Sequence, residues 1–128
     1  IKSREGGPAK ALVSEAKATR APLERVLIRD RSEVHVIPAA RVDYIESQDD
    51  YVSIATAGKK YLKEQTLTEL EQLLDPTRFV RIHRRYLLNV SRLARIEQSD
   101  TDSRNAILQD GTELPISKTG YAKLREIL

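Results

Sequence analysis

The sequence predicts a mainly β domain with one or two short α-helices, on three observations. From Leu23 onward, short runs with apolar residues at a period of two recur between turn-forming clusters. One internal segment, and then the C-terminus, switches to helical spacing. The 128 residues, 40% hydrophobic and 32% charged, are enough for one domain with a real core.

Residues 1–22 stand apart by composition. "IKSREGG" is polar and Gly-rich, and "PAKALVSEAKA" sets Pro8 before an Ala-rich run with few large apolar residues. A short helix that cannot build its own core is expected there, as a linker or, alternatively, a frayed end with a cloning scar. The chain starts at Ile1 and lacks Met, which suits a fragment cut from a longer polypeptide with a further domain upstream.

Residues 23–128 form the expected domain. "VLIRD" and "EVHVIP" flank "DRSE", "VDYIES" and "YVSIAT" flank "QDD", and "RNAILQ" and "TELPIS" flank Asp110-Gly111, where glycine accepts the positive φ of a tight hairpin. "TLTELEQLLDP" spaces Leu67, Leu70, Leu73 and Leu74 helically. Thr66 and Glu69 make a capping box, and Pro76 stands just beyond the end. "FVRIHRRYLLNV", Phe79 to Val90, reads as a half-buried strand: Val80 and Ile82 share one face, Arg81 and His83 the other, and Arg84 and Arg85 follow at once. Tyr121, Leu124, Ile127 and Leu128 predict a closing helix.

Charge is distributed unevenly. Thr77 to Ile96 holds six arginines and no Asp or Glu, a formal +6 within a chain of net +3, so the remainder sums to −3. Charge of one sign in one segment points to an anionic partner. Guanidinium groups bond phosphate in pairs and also read guanine O6 and N7, so a nucleic acid is the expected partner. The alternative is that these arginines solvate a strand face and pair with Glu64, Glu69 or Asp75.

Catalysis finds little support. His35 and His83 are far apart, cysteine is absent, and no Gly-rich phosphate loop, G-x-S-x-G or H-E-x-x-H occurs. Asp49 and Asp50 with Glu46 lack the calcium-loop pattern and suit a polar turn. No enzyme activity, cofactor or metal is expected. The lack of cysteine, of a signal peptide and of a membrane-length apolar run suggests the cytoplasm.

"VDYIESQDDYVSIAT", "KYLKEQTLTELEQLL", "RFVRIHRRYLLNVSRLARI" and "DGTELPISK" occur in the order and spacing of the LytTR DNA-binding domain, the C-terminal output domain of bacterial response regulators, which the chain resembles from about Leu23 to Leu128. The resemblance implies an elongated stack of small β-sheets, about ten strands in all, whose loops enter successive major grooves. It assigns base contacts to Gln48, Asp49, Asp50 and Tyr51, to Arg84 and to Lys118. Backbone or supporting roles fall on Arg81, His83, Arg85, Asn89 and Ser117. Two features depart from the family: Arg85 replaces an often small polar residue, and Asp49-Asp50 repel phosphate but suit a cytosine amino group.

The function this implies is sequence-specific DNA binding as the output of a two-component transcription regulator, with a receiver or another sensor upstream. Residues 8–20 show no heptad, so the fragment is expected to be a monomer alone and paired on repeated half-sites. Two other readings compete: a basic face docking an acidic protein partner, and single-stranded nucleic-acid binding, which wants more stacking aromatics than this chain offers.

Overall fold

The computed structural model describes residues 21–128, so the helix expected in residues 8–18 lies outside it. The described residues form ten strands and two α-helices. In order these are β1 (Arg25–Asp30), β2 (Glu33–Pro38), β3 (Tyr44–Gln48), β4 (Tyr51–Thr56), β5 (Lys59–Lys63), α1 (Leu67–Leu73), β6 (Phe79–His83), β7 (Tyr86–Asn89), β8 (Leu93–Gln98), β9 (Arg104–Leu108), β10 (Glu113–Ile116) and α2 (Lys118–Ile127). The strands pair antiparallel into three small sheets: β1-β2, a central β5-β4-β3-β7-β6, and β10-β9-β8.

Alternation along the strands builds two cores, one on each face of the central sheet. Ile45, Val52, Ile54 and Leu87 pack on one side against Val26, Ile28 and Ile37 of β1-β2 and Leu67, Leu70 and Leu74 at α1. Ala55, Val80, Ile82 and Leu88 pack on the other against Ala106, Leu108, Leu114 and Ile116 of the third sheet and Leu124 of α2. Burial on both faces explains why Val52 to Thr56 are all buried, where a sheet with one wet face would alternate.

Local signals translate directly. The Thr66 hydroxyl accepts the Glu69 N–H at 3.1 Å, and Glu69 Oε1 accepts the Thr66 N–H at 3.0 Å, closing the capping box of α1. Gly111 sits at φ 94° between the paired strands β9 and β10.

Phe79 to Val90 corrects the sequence reading. It is not one strand but a hairpin: His83 pairs with Tyr86, and Arg84 and Arg85 form the turn. The three residues from His83 to Arg85 offer nothing apolar to bury, so the chain reverses there. A bulge between Arg81 and His83 assists by bending the strand. Strands β5 and β8 were not anticipated. Both are sheet edges, and the lysines of "KKYLK" that hide β5's period also guard that edge against stray pairing.

Candidate nucleic-acid interface

Two hairpin turns end side by side on the central sheet. β3 and β7 are neighbours with Glu46 opposite Tyr86, and the Ser47 N–H donates to the Arg85 carbonyl at 2.8 Å. This brings the β3-β4 turn, Asp49-Asp50 between the paired Gln48 and Tyr51, beside the β6-β7 turn, Arg84-Arg85. Asp49 adopts φ 52°, a left-handed conformation that Asp tolerates better than most residues. Gln48, Asp49, Asp50 and Tyr51 are all exposed.

The start of α2 joins the same rim. Ser117 caps the helix by accepting the Gly120 N–H at 2.9 Å. Its own N–H and hydroxyl donate to the Ile82 carbonyl at 2.8 and 3.3 Å. Gly120 makes this approach possible, because a Cβ there would lie 2.0 Å from the same carbonyl oxygen. Lys118, the first residue of α2, is exposed one position beyond that anchor. Three segments distant in sequence, carrying Gln48–Tyr51, Arg84 and Lys118, thus meet at one end of the sheet.

The backbone of the β6-β7 turn is tied down carbonyl by carbonyl. Ile82 accepts from Ser117, His83 from Arg81 Nε at 3.0 Å, Arg84 from Arg81 Nη2, and Arg85 from Ser47. His83 Nδ1 accepts the Arg85 N–H at 3.1 Å, which leaves its ring proton on Nε2. On this fixed frame the exposed Arg84 guanidinium has no hydrogen bond or ion pair among the described residues. Arg85 leans back toward Ser47 O at 3.5 Å and Glu46 Oε2 at 3.7 Å, while its side chain stays 54% exposed.

Burial and charge both disfavour a protonated His83. Partial burial lowers its pKa, and the positive charges of Arg84, Arg85 and Arg81 lower it further. Its ring lies 5.8 Å from that of Tyr86, whose hydroxyl donates to Glu46 Oε2 at 3.3 Å. Burial and the Glu46 carboxylate beside it raise the Tyr86 pKa.

The six arginines separate into different roles in space. Arg81 pairs with Glu71 at 2.9 Å, Arg85 with Glu46, Arg92 with Asp43 at 3.2 Å and Arg95 with Glu97 at 2.9 Å. Of these six, only Arg78 and Arg84 have no carboxylate of the described residues within ion-pair distance. All four of those carboxylates lie outside Thr77 to Ile96, and none is the Glu64, Glu69 or Asp75 considered from sequence. Arg81 and Ser117 thus spend their polar atoms inside the protein.

Asn89 does the same from the far end of β7. Fully buried, it donates to the Val42 carbonyl at 2.7 Å and accepts the Ser91 N–H at 3.1 Å. Ser47, Glu71 and Gly120 escaped the sequence reading, and Glu46 entered it only beside Asp49 and Asp50, since each matters through a partner on another element. A basic side chain was also missed: the Arg104 guanidinium stacks 4.0 Å from the Tyr121 ring and braces α2 on β9. No helix among the described residues is long and apolar enough to cross a membrane.

Comparison with known proteins agrees with this architecture. The LytTr DNA-binding domain family model matches residues 32–128. The chain is 26% identical over 93 residues to the sensory transduction protein LytT of Bacillus subtilis, covering 73% of this chain and 39% of LytT. It is 25% identical over 118 residues to the transcriptional regulatory protein LytR of Staphylococcus aureus, covering 92% and 47%. It is 26% identical over 108 residues to the heme-containing CO-sensing transcriptional regulator RcoM 2 of Paraburkholderia xenovorans, covering 83% and 40%. The chain therefore spans half or less of the length of these relatives. A solved LytTr DNA-binding domain from Bacillus cereus superposes with a TM-score of 0.73 at 21% identity, over 82% of this chain and 96% of that one, and so shares the fold. With its family model matched over most of its length and ten strands in three small sheets, the chain belongs to the LytTR DNA-binding domain family.

Proposed function

We propose that this domain reads double-stranded DNA by sequence through the rim formed by the two hairpin turns and the start of α2. The observation that carries the proposal is the Arg84 guanidinium, exposed and unpaired on a turn whose carbonyls are all held. The turn backbone loses little freedom when this guanidinium forms a bidentate pair with guanine O6 and N7, and no internal ion pair has to be broken first. Gln48 to Tyr51 and Lys118 supply flanking base contacts from neighbouring loops that enter successive major grooves. Arg85 and the His83 Nε2–H contact phosphate and sugar, which positions the domain without reading sequence. Arg81, Asn89 and Ser117 support that frame from within.

In the longer protein the domain serves as the output of a transcription regulator acting in the cytoplasm. The relatives include a sensory transduction protein and a CO-sensing regulator, so the family supports an upstream sensor, of which a receiver is one form. Alone the domain acts as a monomer, and pairing on repeated half-sites comes from that upstream part.

Selection of bound duplexes from a random library tests the proposal. Recovery of a consensus spanning one half-site is expected of the isolated domain. Failure to enrich any duplex over the starting pool would refute sequence-specific binding.

A further inference from the structure

We infer that Glu71 and Arg81 form a positioning pair for the base-reading turn, with Glu71 acting from α1 although it touches no part of the turn itself. The inference rests on the proposed DNA reading, adds Glu71 to it and gives Arg81 a defined role, and neither residue contacts a base.

Arg81 uses all three guanidinium nitrogens inside the protein. Nη1 holds Glu71 Oε1 at 2.9 Å, Nε holds the His83 carbonyl at 3.0 Å, and Nη2 holds the Arg84 carbonyl. The planar fork fixes these directions relative to one another, so anchoring one edge on α1 sets where the other edge places the turn. Arg81 shares the sheet face of Phe79, the face that α1 covers, which is why Glu71 can reach it. Glu71 is itself held: α1 is capped at Thr66, and Lys123 of α2 lies 4.0 Å from its second carboxylate oxygen. Both helices flanking β6 thereby converge on the group that orients Arg81, whose side chain is only 20% exposed. A phosphate contact would leave those nitrogens open to solvent.

Glu71→Gln separates positioning from bulk charge, because bulk charge raises both affinities and leaves their ratio unchanged while loss of positioning lowers the ratio. Removing a carboxylate near a DNA-binding face favours DNA generally. Loss of the clamp instead lowers the ratio of affinity for the selected duplex to affinity for a scrambled duplex, by about tenfold, with Arg84 no longer held for its bidentate pair. Arg81→Lys keeps the charge and loses the fork, so the same fall is expected with the salt dependence unchanged. Amide hydrogen exchange at Ser47 and Arg85, measured without DNA, should quicken in both variants as the turn loosens. Should Arg81→Lys unfold, Glu71→Gln carries the test, since it changes one partly exposed carboxylate to an amide. An unchanged or raised ratio in folded Glu71→Gln, or unchanged exchange at both amides, would overturn the inference. If the wild-type chain itself fails to discriminate between duplexes, the DNA reading falls, and the exchange experiment still decides whether the clamp exists.

Discussion

Ser117 and Ile82 share one carbonyl: both the N–H and the hydroxyl of Ser117 donate to the backbone oxygen of Ile82, which locks the start of α2 to the strand that leads into the Arg84-Arg85 turn. This junction depends on the absence of a side chain at Gly120, where a Cβ would sit 2.0 Å from that same oxygen.

Gly120→Ala must therefore push α2 away from β6. Forced overpacking of this kind costs about 1 to 3 kcal/mol. Denaturant unfolding should show a loss in that range, and the Lys118 contribution to DNA affinity should disappear along with it. A variant as stable as the wild type would mean that α2 is not seated as described.

His83 links the turn to pH. Its pKa is lowered in the folded state, so the unfolded chain takes up a proton at a higher pH than the native one. Its contribution to stability is flat above the ordinary histidine range and is lost as pH falls through that range, because acid favours the state that binds the proton. Protonation of Nδ1 would also remove the acceptor for the Arg85 N–H. Titration of the His83 ring by nuclear magnetic resonance should give a midpoint below the ordinary imidazole value, with the proton on Nε2 above it. A midpoint above that value would contradict the arrangement.

Salt dependence counts the cations that remain free. With Arg81, Arg92 and Arg95 each within 3.2 Å of a carboxylate, Arg84, Lys118 and Arg85, whose contact with Glu46 is longer at 3.7 Å, are the cations left to displace counterions at the rim. Three cations displacing counterions give a slope of log K against log salt of about −3, where engagement of all six arginines would give about −5. Binding isotherms across a salt series distinguish the two slopes.

Legibility in the sequence followed the range of the interaction. The capping box of α1 and the Asp110-Gly111 hairpin were readable because each is complete within a few residues. β5 and β8 were obscured because an edge strand buries little and its period is weak. The Arg84-Arg85 turn was hidden by apolar residues continuing on both sides of it, which resemble one strand until pairing is known. Counting six arginines without a local acid overstated the free charge, since Glu46, Glu71 and Asp43 arrive from β3, α1 and the segment before β3. The family motif led to Arg84 and Lys118, but only the fold brings them to one rim. That Asn89 and Arg81 face inward follows from partners no local pattern reveals.

The most direct test of the proposed function compares Arg84→Ala with Arg85→Ala on a selected and a scrambled duplex at one fixed salt concentration. Arg84 is unpaired on a fixed turn and Arg85 leans toward Glu46, so the proposed base reading is assigned to Arg84. Arg84→Ala is expected to cost about 1 to 3 kcal/mol on the selected duplex alone, lowering the affinity ratio and flattening the preference at one base position. Arg85→Ala is expected to weaken both duplexes by similar factors. A ratio untouched by Arg84→Ala, with or without a fall for Arg85→Ala, would contradict the assignment of Arg84 as the residue that reads the base.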